Sequence, residues 1–98
     1  MKLEKLLERL EYRCLQGPME VEVRDIVNDS RRAKDGSLFF CIRGAVTDGH
    51  KYAADVASKG AKVLLVEEPV EVPEDVTVIQ VADTRYAMAV IKSEARRS

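Results

Sequence analysis

The 98-residue sequence has no tryptophan, one histidine, two cysteines and a formal net charge of only -1. The scarcity of histidine, of cysteine and of net charge argues against several classes of function. With the single histidine, His50, and no CxxC spacing, the sequence lacks the ligand set of a structural metal site, so we expect no metal. The near-zero charge gives no electrostatic attraction to nucleic acid or to an anionic membrane. No apolar run approaches the roughly 20 residues that span a bilayer, and the charged amino terminus lacks a signal-peptide core. These absences predict a cytoplasmic protein that binds neither nucleic acid nor membranes.

The remaining composition is that of one small globular domain. Apolar residues make up 46% of the chain and charged residues 34%, which is not the composition of a disordered protein. A chain of this length buries about 60 to 65% of the surface that its unfolded form exposes, which allows a core but not a large active site. Cys14 and Cys41 lie far apart among apolar neighbours, which predicts two reduced, buried thiols.

The spacing of apolar residues predicts alternating helices and strands. Helices are expected over residues 3–10, 50–59 and 83–91, and strands over 12–15, 21–27, 38–42, 61–66 and 76–81. The run Leu38–Ile42 does not alternate, so we expect it to be buried on both faces of a sheet. Strand, helix and strand from residue 38 to 66 make a βαβ unit, in which the two strands are parallel. The predicted fold is a single α/β domain with three layers, a mostly parallel sheet flanked by helices.

The helix ends carry capping residues. In the last helix Tyr86, Ala87, Val90 and Ile91 form the expected apolar stripe, and the polar residues 92–98 are expected to fray. Asp48 and Asp83 are the expected N-caps, and Gly60 suits the position that ends the helix over 50–59. Arg85 is expected to form an ion pair at the start of the last helix.

Two polar loops follow neighbouring predicted strands. The turn Asn28–Ser30 ends one strand, and the segment Gly44–Gly49 follows the buried run. In open α/β sheets the carboxyl ends of the strands are where ligands usually bind. We therefore expect the binding site, if there is one, at this edge of the sheet.

The ordered motifs NDSR, GSLFFCIRG, DGH and DTR resemble the amino-terminal domain of bacterial Mur ligases, most closely the tripeptide-synthetase (MurE) type. The resemblance runs from MKLEKLLERL to VIQVADTRYAMAVI, nearly the whole chain. It implies a part in peptidoglycan precursor synthesis, in which the full ligase adds the third peptide residue to UDP-N-acetylmuramoyl-L-Ala-D-Glu. The full enzyme would use ATP and Mg²⁺ to phosphorylate a substrate carboxylate, which the incoming amine then attacks.

The resemblance also implies a binding site for the uridine diphosphate end of that substrate. Its candidate residues are Asn28, Ser30, Arg31, Ala45, Val46 and Thr47. Ser30 would hydrogen-bond uracil or ribose, the backbone of residues 45–47 would read the uracil edge, and Arg31 would pair with phosphate. Each has a simpler structural interpretation as a turn residue, a loop residue or a solvated charge. No residue is assigned a catalytic role, since one histidine with no partnered nucleophile is weak evidence for a general base.

The phosphate-binding chemistry of a ligase is missing from the sequence. There is no GxxxxGK(S/T) loop, and the five glycines are isolated. We expect that residues 1–98 form only the amino-terminal domain, without the ATP-binding and carboxyl-terminal domains and without a cofactor, and that this chain alone is inactive. The ending KSEARRS departs from the family pattern, which fits an excised domain, a truncation or a natural remnant.

Three alternatives remain open at this stage. One is a stand-alone, non-catalytic module that binds uridine nucleotides. Another is a structural or interaction domain with no nucleotide ligand, for which an exposed apolar patch would be the sign. Within the same family, the ligase that adds D-alanyl-D-alanine shares the DSR and DGH motifs.

Overall fold

A five-stranded sheet lies between two layers of helix in the computed structural model, which describes residues 1–97. The strands are β1 (Arg13–Gln16), β2 (Asp25–Val27), β3 (Ser37–Phe40), β4 (Val63–Val66) and β5 (Thr77–Gln80), in the order β1-β5-β4-β3-β2. Strands β2 to β5 are parallel, and β1 runs antiparallel to β5. The helices are α1 (Leu3–Leu6), α2 (Ala53–Ser58) and α3 (Thr84–Arg97), with 3-10 turns at Ser30–Arg32 and Gly49–Tyr52. The predicted fold class is confirmed.

The central strands are buried on both faces, as the lack of alternation predicted. Every residue of β3 and β4 is buried. Successive side chains point to opposite faces, so Leu65 packs in a core with α1 and α3, while Leu64 packs in a second core with α2. Two apolar cores on one sheet produce the three layers.

The strand register brings the strand ends together at one edge of the sheet. Val27 pairs with Phe39, Phe40 with Leu65, and Val66 with Gln80. Because these strands are parallel, the loops that follow β2, β3, β4 and β5 all leave the sheet at this carboxyl edge.

Two predicted elements are shorter than expected near the amino terminus. The predicted apolar stripe of the first helix is confirmed in part, because Leu3, Leu6 and Leu7 are buried. The helix itself is shorter than predicted, since α1 ends at Leu6. The strand predicted from residue 21 begins at residue 25. Residues 21–23 instead hydrogen-bond to the amino-terminal segment, where the Leu3 N–H donates to the Val21 carbonyl at 3.0 Å. The backbone groups of that segment are therefore paired outside the sheet.

The predicted helix over 50–59 begins with a 3-10 turn and continues as α2. The Asp48 carboxylate accepts the His50 N–H at 3.0 Å, so the predicted N-cap is confirmed. At the other end Gly60 has φ of +103°, a left-handed conformation that residues with a Cβ rarely adopt.

The expectation that residues 92–98 fray is wrong for residues 92–97, and Ser98 lies outside the described residues. Helix α3 runs to Arg97, and Glu94 is only 7% exposed. Its Oε1 lies 3.4 Å from Arg9 Nη1 and 3.5 Å from Arg97 Nη1. A buried carboxylate needs such partners, and here they hold the end of α3 against the segment that follows α1.

Two side chains that the sequence predicted to be buried are exposed. Tyr86 is 62% exposed, because the buried face of α3 is formed by Thr84, Ala87, Ile91 and Glu94. Cys14 is exposed on the edge strand β1, whereas Cys41 is buried as predicted. Burial, together with the nearby Asp48 charge, raises the pKa of Cys41 to about 12, so this thiol stays protonated.

Among residues 1–97 no helix combines the length and the apolar character that crossing a membrane requires.

Burial on both faces of β4 makes a direct stability prediction. We expect Leu64→Ala and Leu65→Ala each to reduce the free energy of unfolding by about 2 to 5 kcal/mol, because each leaves a cavity in a separate core. Urea denaturation would measure both variants, with Lys62→Ala as the exposed control on the same segment. A large loss for only one leucine would contradict a sheet covered on both faces.

Candidate functional site

A short hairpin projects from the carboxyl edge of the sheet after β3. We call residues 43–48 the hairpin: Arg43 and Asp48 form its antiparallel bridge, and the Gly44 N–H donates to the Thr47 carbonyl at 2.8 Å. Its tip is open to solvent, with Val46 97% exposed. In the described chain the N–H groups of Ala45 and Val46 have no hydrogen-bond partner. The tip therefore presents unpaired backbone donors.

The base of the hairpin is closed by a glycine that approaches the preceding strand. The Gly49 N–H donates to the Ile42 carbonyl at 2.8 Å. A Cβ on Gly49 would lie only 2.7 Å from the Ile42 nitrogen, so a larger residue would displace the hairpin. The glycine of the DGH motif thus has a steric role, because only a residue without a Cβ fits this close to the strand.

The histidine of the same motif joins the hairpin to the end of β4. His50 is buried, and its Nδ1 lies 2.6 Å from Asp48 Oδ1. The backbone N–H of Glu67 donates to His50 Nε2 at 3.0 Å, and that of Glu68 lies 3.4 Å from the same nitrogen. Because Nε2 accepts, the ring proton is on Nδ1 and is donated to Asp48. His50 is thus a structural bridge, which leaves no ring nitrogen for acid–base chemistry.

The exposed side chain of Arg43 adds two ion pairs to the connection between the hairpin and the end of β4. Arg43 Nε lies 3.4 Å from Asp48 Oδ2, and its Nη2 lies 3.0 Å from Glu68 Oε2. The Glu68 charge, followed by that of Asp48, raises the pKa of Arg43. The His50 backbone N–H and then its ring lower the pKa of Asp48, so this carboxylate stays ionised at neutral pH. We call Arg43, Asp48, His50 and Glu68 the brace.

The brace contains potential metal ligands but is not suited to a cation. Oxygen or nitrogen atoms of Asp48, His50 and Glu68 all lie within 4.8 Å of one another. Both His50 nitrogens are already hydrogen-bonded, and the Arg43 guanidinium pairs with both carboxylates. A metal would have to displace these contacts.

The second loop of the candidate site is the turn after β2. Asp29 Oδ1 accepts the Arg31 N–H at 3.0 Å, and the Arg31 guanidinium donates to both Asp29 oxygens at 3.1 and 2.9 Å. This pairing lowers the pKa of Asp29 to about 2. The predicted phosphate ligand Arg31 therefore already has a carboxylate partner, and its phosphate role stays a prediction.

The other predicted residues of this turn keep polar groups available. Asn28 is exposed and Ser30 is half-buried. The Ser30 carbonyl accepts Lys59 Nζ at 3.0 Å, whereas within residues 1–97 the Ser30 hydroxyl and the Asn28 amide have no protein partner. The turn and the hairpin follow neighbouring parallel strands, so the structure brings the six predicted residues to one edge of the sheet.

The start of α3, at the same edge, is already occupied by carboxylates. Asp83 Oδ1 accepts the N–H groups of Arg85 and Tyr86, which confirms the predicted N-cap. Glu67 Oε2 accepts from the N–H and the hydroxyl of Thr84 at 2.8 and 3.0 Å. Sequence reasoning missed Glu67 because it lies 17 residues before Thr84.

The predicted ion pair of Arg85 at the start of α3 is wrong. In the described residues no carboxylate oxygen lies within 4.0 Å of its guanidinium. Its Nη2 instead lies 3.4 Å from the Arg43 carbonyl at the base of the hairpin. The Asp83 carboxylate accepts only backbone N–H groups, whereas the Arg85 guanidinium is directed to the hairpin.

The described residues do not fit the ATP and Mg²⁺ that the resemblance implies for a full enzyme. A triphosphate needs a glycine-rich loop of backbone N–H groups or an open helix start. Helix α3 is the one helix of eight or more residues within 1–97, and two carboxylates occupy its start. Residues 1–97 therefore offer a triphosphate neither a glycine-rich loop nor an open helix start.

Comparison with known proteins identifies relatives over almost the whole chain. Residues 22–96 match the family described as "Mur ligase family, catalytic domain". The chain is 43% identical over 93 residues to "UDP-N-acetylmuramoyl-L-alanyl-D-glutamate--2,6-diaminopimelate ligase" of Clostridium perfringens, a match that covers 95% of this chain and 19% of that protein. The protein of the same description from Clostridioides difficile is 40% identical over 89 residues, 91% of this chain and 18% of that protein.

Solved structures give the same result for the fold. The crystal structure I of MurF from Acinetobacter baumannii matches with a TM-score of 0.83 and 28% identity, over 98% of this chain and 21% of that one. The chain thus spans about a fifth of the length of the relatives that it matches.

The two hydrogen bonds of His50 predict that it is important for stability. We expect His50→Ala to reduce the free energy of unfolding by about 2 to 4 kcal/mol, because it leaves the Glu67 N–H and the Asp48 carboxylate without these partners. Chemical denaturation would measure the loss, with the exposed neighbour Lys51→Ala as control. Equal stabilities of the two variants would contradict the bridging role.

The Asp29–Arg31 pair makes a prediction about pH. A carboxyl pKa lowered from 3.8 to about 2 contributes stability above pH 3.8, which is lost as the pH falls toward 2. NMR titration of the Asp29 side-chain carboxyl should give a pKa near 2 in the wild type and a value closer to 3.8 in Arg31→Gln. An unchanged Asp29 titration would show that Arg31 is not paired in solution.

Proposed function

The chain belongs to the Mur ligase family as an amino-terminal domain of the MurE-like type, and on that premise we propose that it binds the uridine diphosphate end of UDP-N-acetylmuramoyl-L-Ala-D-Glu. The intact ligase would then add the third residue of the peptidoglycan precursor to this nucleotide. The proposed site consists of Asn28, Ser30, Arg31, Ala45, Val46 and Thr47.

The observation that carries the proposal is the exposed hairpin tip at the carboxyl edge of a parallel sheet. The unpaired N–H groups of Ala45 and Val46 are suited to the carbonyl oxygens of a uracil edge. The exposed Val46 side chain can pack on the flat face of the base. The brace holds the base of the hairpin, which restricts the conformations of the tip before the ligand arrives and so reduces the entropic cost of binding.

The turn after β2 supplies side chains that complement the hairpin. The Ser30 hydroxyl and the Asn28 amide have no protein partner among the described residues, so both can hydrogen-bond a ribose or a base without losing an existing contact. The edge of the sheet is also where open α/β folds bind nucleotides.

The names of the relatives support the choice of substrate. The Clostridium perfringens relative is described as a ligase of UDP-N-acetylmuramoyl-L-alanyl-D-glutamate with 2,6-diaminopimelate. Because this chain matches about a fifth of that protein, we assign ATP, Mg²⁺ and amide-bond formation to the full-length ligase. The 98-residue chain alone is expected to bind the nucleotide without hydrolysing ATP.

An NMR titration of the labelled chain tests the proposal. We expect saturable shifts at residues 28–31 and 45–47 with UDP-N-acetylmuramoyl-L-Ala-D-Glu and with UMP, but not with AMP. Shifts that are the same for UMP and AMP, or none up to millimolar ligand, would contradict uridine recognition by this chain. A millimolar dissociation constant corresponds to about -4 kcal/mol, so the titration must reach that range.

One substitution separates a binding role of Ser30 from a turn role. We expect Ser30→Ala to weaken uridine nucleotide binding by roughly 3- to 10-fold, since one hydrogen bond is worth about 1 kcal/mol, and to leave the unfolding midpoint nearly unchanged. The control is Ser58→Ala, because the exposed Ser58 hydroxyl donates to the Asp55 carbonyl within α2. Equal affinities of the two variants would remove Ser30 from the site.

A further inference from the structure

Two arginine side chains contact the hairpin, and they differ in whether they form ion pairs with carboxylates. Arg43 pairs with Asp48 and Glu68. Arg85 reaches the base of the hairpin from α3, where its Nη2 lies 3.4 Å from the Arg43 carbonyl. In the described chain Arg85 has no carboxylate partner, although four carboxylates, those of Asp48, Glu67, Glu68 and Asp83, belong to the surrounding segments.

Each of those carboxylates is used by another donor. Asp83 and Glu67 accept backbone N–H groups at the start of α3. Asp48 accepts from His50 and Arg43, and Glu68 pairs with Arg43. Among the described residues Arg85 therefore has no carboxylate in direct contact at the point where the hairpin leaves the sheet. A guanidinium has five N–H donors, and only one of them contacts the Arg43 carbonyl.

The other arginine considered for phosphate has no such capacity. Arg31 donates to both oxygens of Asp29 in a bidentate pair. Binding a phosphate would mean competing with that carboxylate, whose charge also repels an anion. Arg85 offers the same bidentate geometry, and among the described residues no carboxylate pairs with its guanidinium.

We propose that Arg85 binds the diphosphate of the nucleotide whose uracil is read by the hairpin tip. This inference rests on the proposed uridine recognition and adds to it the residue that distinguishes a nucleoside diphosphate from a nucleoside. The guanidinium donates to phosphate oxygens while the uracil stays at residues 45–47. Arg85 is a binding residue in this role and takes no part in bond formation.

The test compares uridine with UDP on the 98-residue chain, since uridine has the same base without phosphate charge. In the wild type we expect UDP to bind more tightly than uridine. Arg85→Gln should weaken UDP binding by about 5-fold or more, because charge-assisted contacts to the phosphates are lost, and should leave uridine binding unchanged. Arg85→Lys should be intermediate, since an ammonium cannot make the bidentate contact.

Arg96→Gln is the matched control. Arg96 is exposed on the same helix, eleven residues later and roughly 16 Å further along the axis, and its substitution removes the same charge. We expect it to change neither affinity. Because Arg85 has no carboxylate partner, Arg85→Gln leaves no unpaired anion, and in the ligand-free chain we expect NMR shift changes only next to the lost contact with the Arg43 carbonyl.

The outcomes separate this inference from the proposed function. If the folded wild type shows no saturable shifts with uridine or UDP, the proposed function and the Arg85 role are both overturned. If uridine binds but Arg85→Gln leaves the ratio of UDP to uridine affinity unchanged, only the Arg85 role is overturned. The same holds if Arg85→Gln and Arg96→Gln weaken UDP binding equally, or if Arg85→Gln weakens uridine and UDP equally.

Discussion

The hydrogen bond from the Glu67 N–H to His50 Nε2 ties two loops of the carboxyl edge to each other. Through Nδ1 the same ring holds Asp48, which also caps the turn that leads into α2. Loss of this side chain would remove the hydrogen bonds that join the end of the hairpin to the residues after β4. The Arg43 pairs with Asp48 and Glu68 depend on the same arrangement, because they join the loops that His50 connects.

This constraint explains how so small a chain can present the proposed binding surface. A sheet of short strands with two apolar cores supplies the stability. The edge itself is built from polar contacts: the brace around the hairpin, the Asp29–Arg31 pair in the turn, and the capped start of α3. These contacts fix the backbone, while the Ser30 hydroxyl and the N–H groups of the hairpin tip stay available to a ligand.

Sequence patterns predicted the features that depend on near neighbours. The buried run of β3, the N-caps Asp48 and Asp83 and the left-handed Gly60 follow from residues one to four positions apart. Features that depend on distant residues were missed. Glu94 seemed part of a polar tail because its partner Arg9 is 85 positions away, and His50 gave no sign of its bond to Glu67. Local spacing also predicted an Asp83–Arg85 pair, whereas the Arg85 guanidinium contacts the Arg43 carbonyl, 42 positions away.

We propose that a hairpin whose base is held by His50 reads the uracil, and a crystal structure of the chain with UMP would show whether it does. We expect a uracil edge on the backbone of residues 45–47, the Ser30 hydroxyl within hydrogen-bond distance of the nucleotide, and both His50 hydrogen bonds unchanged. A nucleotide bound elsewhere, or a hairpin that rearranges with the His50 bonds broken, would contradict it.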